Sequence, residues 1–169
     1  EENFEDIARV LTTEQGKAID EARGEVRRMI ENVEHANGVT TLMCGYTLED
    51  IATDIDCYGH PQPMGVFAAI VPYNFPAMVG WWFLPYALVT GNTFVLKPSE
   101  QVPLTQTKIF EIIDEAGFPP GVINMITGRG AQTMPPVLSP LTRRKAPKGR
   151  SGRVFSAIRF PICITIVGL

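Results

Sequence analysis

GVFAAIVPYNFPAMVGWWFLPYALVTGNTFVLKPSE, residues 65–100, decides the fold. GVFAAIV is closed by Pro72, and an uninterrupted apolar run of that length predicts a buried strand. Asn74 stands just ahead of Pro76, a residue suited to the first turn of a helix, so PAMVGWWFLPYALVT predicts a helix that runs to Gly91 as its C′ residue. NTFVLK is β-branched and aromatic and exits at Lys97-Pro98, which predicts a second strand. Two strands joined by a helix imply a right-handed crossover in a parallel sheet, and such sheets bind ligands beyond the carboxyl ends of their strands. Asn74, Lys97 and Glu100 all fall there. Asn74 is equally placed to N-cap the helix, and Lys97 with Glu100 could be a solvent-exposed pair in a loop.

Downstream, Pro103 opens a helix through TQTKIFEIIDEA, with Ile109, Ile112 and Ile113 on its apolar face and Gly117 as its stop. VINMITG then predicts a third strand ending at Gly128, so strand and helix alternate in an α/β, parallel-sheet pattern. Upstream, Phe4, Ile7, Ala8 and Leu11, then Ala22, Val26, Met29, Ile30, Val33 and Ala36, recur at helical spacing and predict two amphipathic helices. Their charges read as an exposed, solvated face. Asn37-Gly38 is expected to end the second helix, and TLMCGYTLEDIATDIDCYGHPQPMG reads as loop and extended connection.

A chain of 169 residues, 45% hydrophobic, accommodates one ordinary domain with an ample core. A formal charge of −3 argues against a nucleic-acid or anionic-membrane partner for the whole chain. All 18 acidic residues, however, lie at or before Glu115. No apolar run reaches the roughly 20 residues of a membrane span. Cys44, Cys57 and Cys163 are odd in number and widely spaced, with only His35 and His60 as imidazoles. That fits a reducing compartment, cytoplasm or mitochondrial matrix, better than a disulfide framework or a metal site. Both histidines read as surface residues. EENFED lacks a basic n-region, so no secretory signal is expected.

PYNFP followed by GNTFVLKPSE, with TEQGK, EARGEV and GFPPGVINMITG around them, resembles the aldehyde dehydrogenase family over roughly residues 1–130. The resemblance implies part of a Rossmann-like, parallel-sheet NAD-binding domain preceded by amphipathic helices. It also implies an arm around residues 46–64 that makes subunit contacts in a homo-oligomer, and a small aldehyde as substrate. Asn74 matches the family asparagine whose amide helps to stabilise the oxyanion. Lys97 and Glu100 match the pair that hydrogen-bonds the adenosine ribose, a donor and an acceptor for a diol. Val71 and Tyr73 match positions lining the cofactor, with core packing as the other reading, and Gln101 adjoins this loop as a further cofactor candidate. The family nucleophile lies far downstream of PYNFP, so none of the cysteines is a candidate. No GxGxxG fingerprint is present, in keeping with the family's atypical dinucleotide site.

Tyr73 ahead of Asn74, and WWFLP in place of the usual Trp-Lys pair, resemble the CoA-acylating, methylmalonate-semialdehyde branch of the family. That implies CoA as acyl acceptor. The alternatives are a general NAD-dependent semialdehyde dehydrogenase and a non-catalytic nucleotide-binding remnant. Beyond residue 130 the resemblance stops and the text turns basic and proline-rich. Residues 131–169 read either as a tail for an acidic partner or as the product of truncation or a shifted frame, in a chain that lacks an initiator Met. FPICITIVGL within them is β-prone and uncovered, an aggregation candidate.

Overall fold

A computed structural model describes residues 1–129 and the backbone of one strand at 162–166. The remaining readings of the 131–169 tail lie outside the described residues. The element order is α1 (Phe4–Gln15), α2 (Ile19–Leu42), β1 (Tyr46–Ala52), β2 (Ile55–Gly59), β3 (Val66–Ile70), α3 (Leu84–Val89), β4 (Thr93–Lys97), α4 (Leu104–Glu115), β5 (Ile123–Met125) and β6 (Ile162–Ile166), with a 3-10 turn at Val79–Trp82 before α3.

The α/β reading holds. β3 and β4 pair parallel from Val66↔Thr93 to Ile70↔Lys97, and β4 pairs parallel with β5. On the other side of β3, β6 pairs parallel from Val66↔Ile162 to Ile70↔Ile166, giving the order β5-β4-β3-β6. The segment expected to be an uncovered strand is therefore a strand, but its backbone continues the sheet. The strand order reverses between β3 and β6, and the exit of β3 is thus a topological switch point, where such sheets leave a crevice.

Phe94 and Leu96 of β4, Leu84 of α3, Leu11 of α1, Val26 of α2 and Ile109 of α4 are buried in one core. α1 ends at Gly16 in the left-handed region (φ 88), and Gly117 (φ 76) follows α4 in the same way. Asn37-Gly38 does not stop α2, which continues to Leu42. Gly38 has no positive φ, and an interior glycine costs only about 1 kcal/mol. The stretch expected to be loop forms an antiparallel hairpin, β1 with β2, and Tyr46, Leu48, Ile51, Ile55 and Tyr58 stand exposed on it.

The expected continuous helix from Pro76 is also corrected. A turn at 76–78, the 3-10 turn and the short α3 replace it, with the break at Phe83 (φ −119). Pro85 has no N–H for the Trp81 carbonyl that a continuous helix would present to it. Gly80 allows this irregular segment to lie close on the sheet: a Cβ there would sit 3.0 Å from Leu96 Cδ1.

Candidate functional site

Two strand exits carry the residues singled out in the sequence. At the exit of β3, Val71 is buried and its N–H donates to the Lys97 carbonyl at 3.1 Å, extending the ladder by one rung. Tyr73 is exposed and Asn74 is half-buried. Asn74 does not act as an N-cap. The amides of Ala77 and Met78 donate instead to Glu25 Oε1 on α2, at 2.7 and 3.1 Å. Asn74 Oδ1 is buried without a hydrogen-bond partner.

The charges of the first two helices are not uniformly solvated, which corrects the sequence reading. Lys17, in the turn between α1 and α2, meets Glu25 Oε2 at 2.6 Å, and these side chains are only 9% and 1% exposed. Lys17 Nζ also donates to the Asn74 carbonyl at 3.0 Å and lies 4.5 Å above the Phe75 ring. From α4, Gln106 Nε2 donates to the carbonyls of Pro76 and Ala77 at 2.6 and 3.3 Å, while its Oε1 accepts from Trp81 Nε1 at 3.4 Å. Glu14 caps α4 by accepting from the amides of Leu104 and Thr105 and from Thr105 Oγ1. Lys17, Glu25 and Gln106 were missed as site residues; the signal that could have found two of them is the family match of EQGK and EARGEV around Asn74.

At the exit of β4, Lys97 Nζ lies 3.2 Å from Glu100 Oε2. Lys97 is buried and Glu100 half-exposed, so the picture of a fully solvated pair fails for the lysine. Glu100, Gln101, Pro103, Thr127, Gly128 and Arg129 line an open cleft of ≈ 770 Å³ beyond β4 and β5. Sheet pairing thus brings Val71 beside Lys97, and Glu100 and Gln101 share the cleft; Tyr73 and Asn74 are not among its lining residues.

Cys44 is exposed and Cys57 half-buried in β2. The side chain of Cys163, in β6, is outside the described residues. His35 Nδ1 is 2.9 Å from the Tyr86 hydroxyl and His60 Nε2 is 3.1 Å from Gln62 Nε2. Among the described residues no cluster of His, Cys, Asp and Glu could hold a metal, and no helix is long and apolar enough to cross a membrane.

A parallel sheet with polar groups gathered at adjacent strand exits is the arrangement of an open-sheet α/β protein, and the match over residues 1–140 is more specific: the chain belongs to the aldehyde dehydrogenase family. The match extends past residue 130, where the sequence reading had the resemblance stop. The chain is 50% identical over 127 residues to a malonate-semialdehyde dehydrogenase of Lacticaseibacillus casei, covering 75% of this chain and 26% of that protein. Among solved structures, it is similar to the methylmalonate-semialdehyde dehydrogenase of Oceanimonas doudoroffii, with 44% identity, a TM-score of 0.72, and coverage of 75% and 26% of the two chains. It is also similar to an aldehyde dehydrogenase of Bacillus cereus solved as an NAD+ complex, with 37% identity, a TM-score of 0.72, and coverage of 77% and 26%. The chain therefore spans about a quarter of the length of the relatives it matches.

Proposed function

We propose that this chain forms part of an enzyme that oxidises a small semialdehyde with NAD and delivers the acyl group to CoA. The observation that carries the reading is the uncommitted Asn74 side chain, with its buried, unpartnered Oδ1, at the exit of β3, one strand away from the Lys97–Glu100 pair at the exit of β4. The names of the similar malonate- and methylmalonate-semialdehyde dehydrogenases support the substrate class, and the resemblance of Tyr73 and WWFLP to the acylating branch is what suggests CoA as acceptor.

In this reading a thiolate outside residues 1–129 adds to the aldehyde carbon, and the Asn74 amide donates a hydrogen bond to the oxyanion that forms. NAD, when bound, accepts the hydride, and the acyl group then passes from sulfur to the CoA thiol. Lys97 would donate to one adenosine-ribose hydroxyl and Glu100 would accept from the other. Val71, Tyr73 and Gln101 would flank the cofactor. A half-exposed carboxylate at that place repels a 2′-phosphate, which favours NAD over NADP. The exposed β1–β2 hairpin supports the idea of an arm that buries its Tyr46, Leu48, Ile51, Ile55 and Tyr58 against another subunit. Residues 1–130 would then be one partial domain and 131–169 a divergent tail, of which β6 joins the domain's sheet.

In the full-length enzyme, NADH formation from malonate or methylmalonate semialdehyde should require CoA; equal turnover without CoA would remove the acylating assignment. Asn74→Ala should slow turnover roughly 10²- to 10³-fold with NAD affinity retained, the usual loss for one oxyanion donor. Residues 1–169 alone should form no NADH.

A further inference from the structure

The segment 74–78 belongs to no helix or strand, and side chains from distant elements hold its backbone polar groups. Lys17 donates to the Asn74 carbonyl, Gln106 to those of Pro76 and Ala77, and Glu25 accepts from the amides of Ala77 and Met78. Lys17 and Glu25 are moreover paired with each other at 2.6 Å, both almost fully buried. An ion pair taken out of water is a weak source of net stability and is often replaceable by apolar groups. Its retention beneath this segment calls for another role.

We infer that Lys17 and Glu25 are positioning residues for Asn74, an inference that rests on the oxyanion reading above. The Asn74 side chain is not fixed through its own oxygen, because Oδ1 has no partner. The placement of its amide is therefore inherited from the backbone, and the backbone that follows it is gripped at two points by the two members of one ion pair. Lys17 fixes the peptide after Asn74. Glu25 fixes the turn three and four residues on, and the Lys17 ammonium over Phe75 fills the space between. A misplacement of about 1 Å at a reacting group can cost on the order of 10²-fold in rate, so this grip acts on turnover more than on binding.

The discriminating variant is Lys17→Met with Glu25→Gln. It keeps a neutral oxygen that can accept from the Ala77 and Met78 amides, fills the lysine's place with an apolar chain, and removes the donor to the Asn74 carbonyl. In the full-length enzyme this variant should keep the thermal midpoint and NAD dissociation constant, keep KM for aldehyde, and lose roughly 10-fold in kcat. In an Asn74→Ala background the same double change should cost no further rate, since the group it positions is gone. Equal losses in both backgrounds would overturn the positioning role while leaving the oxyanion reading intact. A wild-type rate for Asn74→Ala by itself would overturn the oxyanion reading and this inference with it. Should the double variant not fold, Glu25→Gln alone in the same two backgrounds carries the same kinetic expectations and the same refutation, with a lowered thermal midpoint because the Lys17 ammonium loses its buried partner.

Discussion

Arg23 and Glu25 stand two residues apart on α2, and each makes an ion pair, yet the two pairs live in different solvents. Residues at that spacing do not share a helix face. Arg23 turns outward to Glu5, with side chains 42% and 47% exposed; Glu25 turns inward to Lys17, with 9% for the lysine and 1% for the glutamate. Water and salt screen the first pair, whose contribution is small. The second holds the backbone that carries Asn74, and neither partner can be removed without leaving a buried charge. Lys97–Glu100 falls between the two, one partner buried and the other half-exposed. Burial, and not the presence of opposite charges, orders the expected consequences of breaking each.

The largest effect belongs to Glu25→Ala. It strands the Lys17 ammonium and the amides of Ala77 and Met78 together, and breaking a buried pair on one side costs about 3–5 kcal/mol. Domains of this kind hold only about 5–15 kcal/mol in all. Urea unfolding of the 169-residue chain should therefore show the midpoint lowered severely or the cooperative transition lost. A midpoint equal to wild type would mean that the buried pair does not hold the 74–78 segment.

Lys97→Met should separate stability from binding. Methionine can follow the lysine's apolar stem and Glu100 can turn to water, so the unfolding free energy should change by less than about 1 kcal/mol. In the full-length enzyme the loss of a charged donor to the ribose should weaken NAD by about 1.5–3 kcal/mol, roughly 10- to 150-fold. An unchanged NAD dissociation constant, measured by fluorescence titration, would withdraw Lys97 from the cofactor site.

These differences also mark what the sequence could convey. β3, β4, α4 and β5 were legible because each is a short apolar pattern bounded by proline or glycine, and local chemistry decides such elements. The Val79–Val89 stretch was misread as one helix because its apolar period continues through Pro85, whose missing N–H is felt only when the hydrogen bonds are counted. The hairpin escaped notice because YTLEDIA and IDCYG alternate no buried face; the turn between them uses Asp54 in the left-handed region (φ 59) and no Asn-Gly signal. Lys97 and Glu100 announced themselves through their motif. Lys17 and Glu25 stand in matched segments, but the roles of these two and of Gln106 did not show, because their partners on the 74–78 segment lie 57, 52 and 30 residues away in the chain, and the text of a charged helix is the same whichever way a given side chain faces.

The smallest effect, Glu5→Gln, tests the solvent-exposed end of the comparison. The hydrogen bond from Arg23, and secondarily the charges of Arg23 and Arg9, hold the Glu5 carboxyl below the usual carboxylate range, and the same contact holds Arg23 above its own. A group whose folded value is depressed stabilises the fold at pH above its unfolded value, and that contribution is lost as pH falls through the folded value. Wild type should therefore exceed Glu5→Gln slightly in thermal midpoint at neutral pH, and the gap should close as pH falls through the depressed folded value. It should close equally in about 1 M salt at neutral pH, where the screening length drops to roughly 3 Å. A gap that survives both treatments would show that Glu5 acts by packing beside Arg23 and not by charge, and the ordering of the three pairs by burial would then fail at its exposed end.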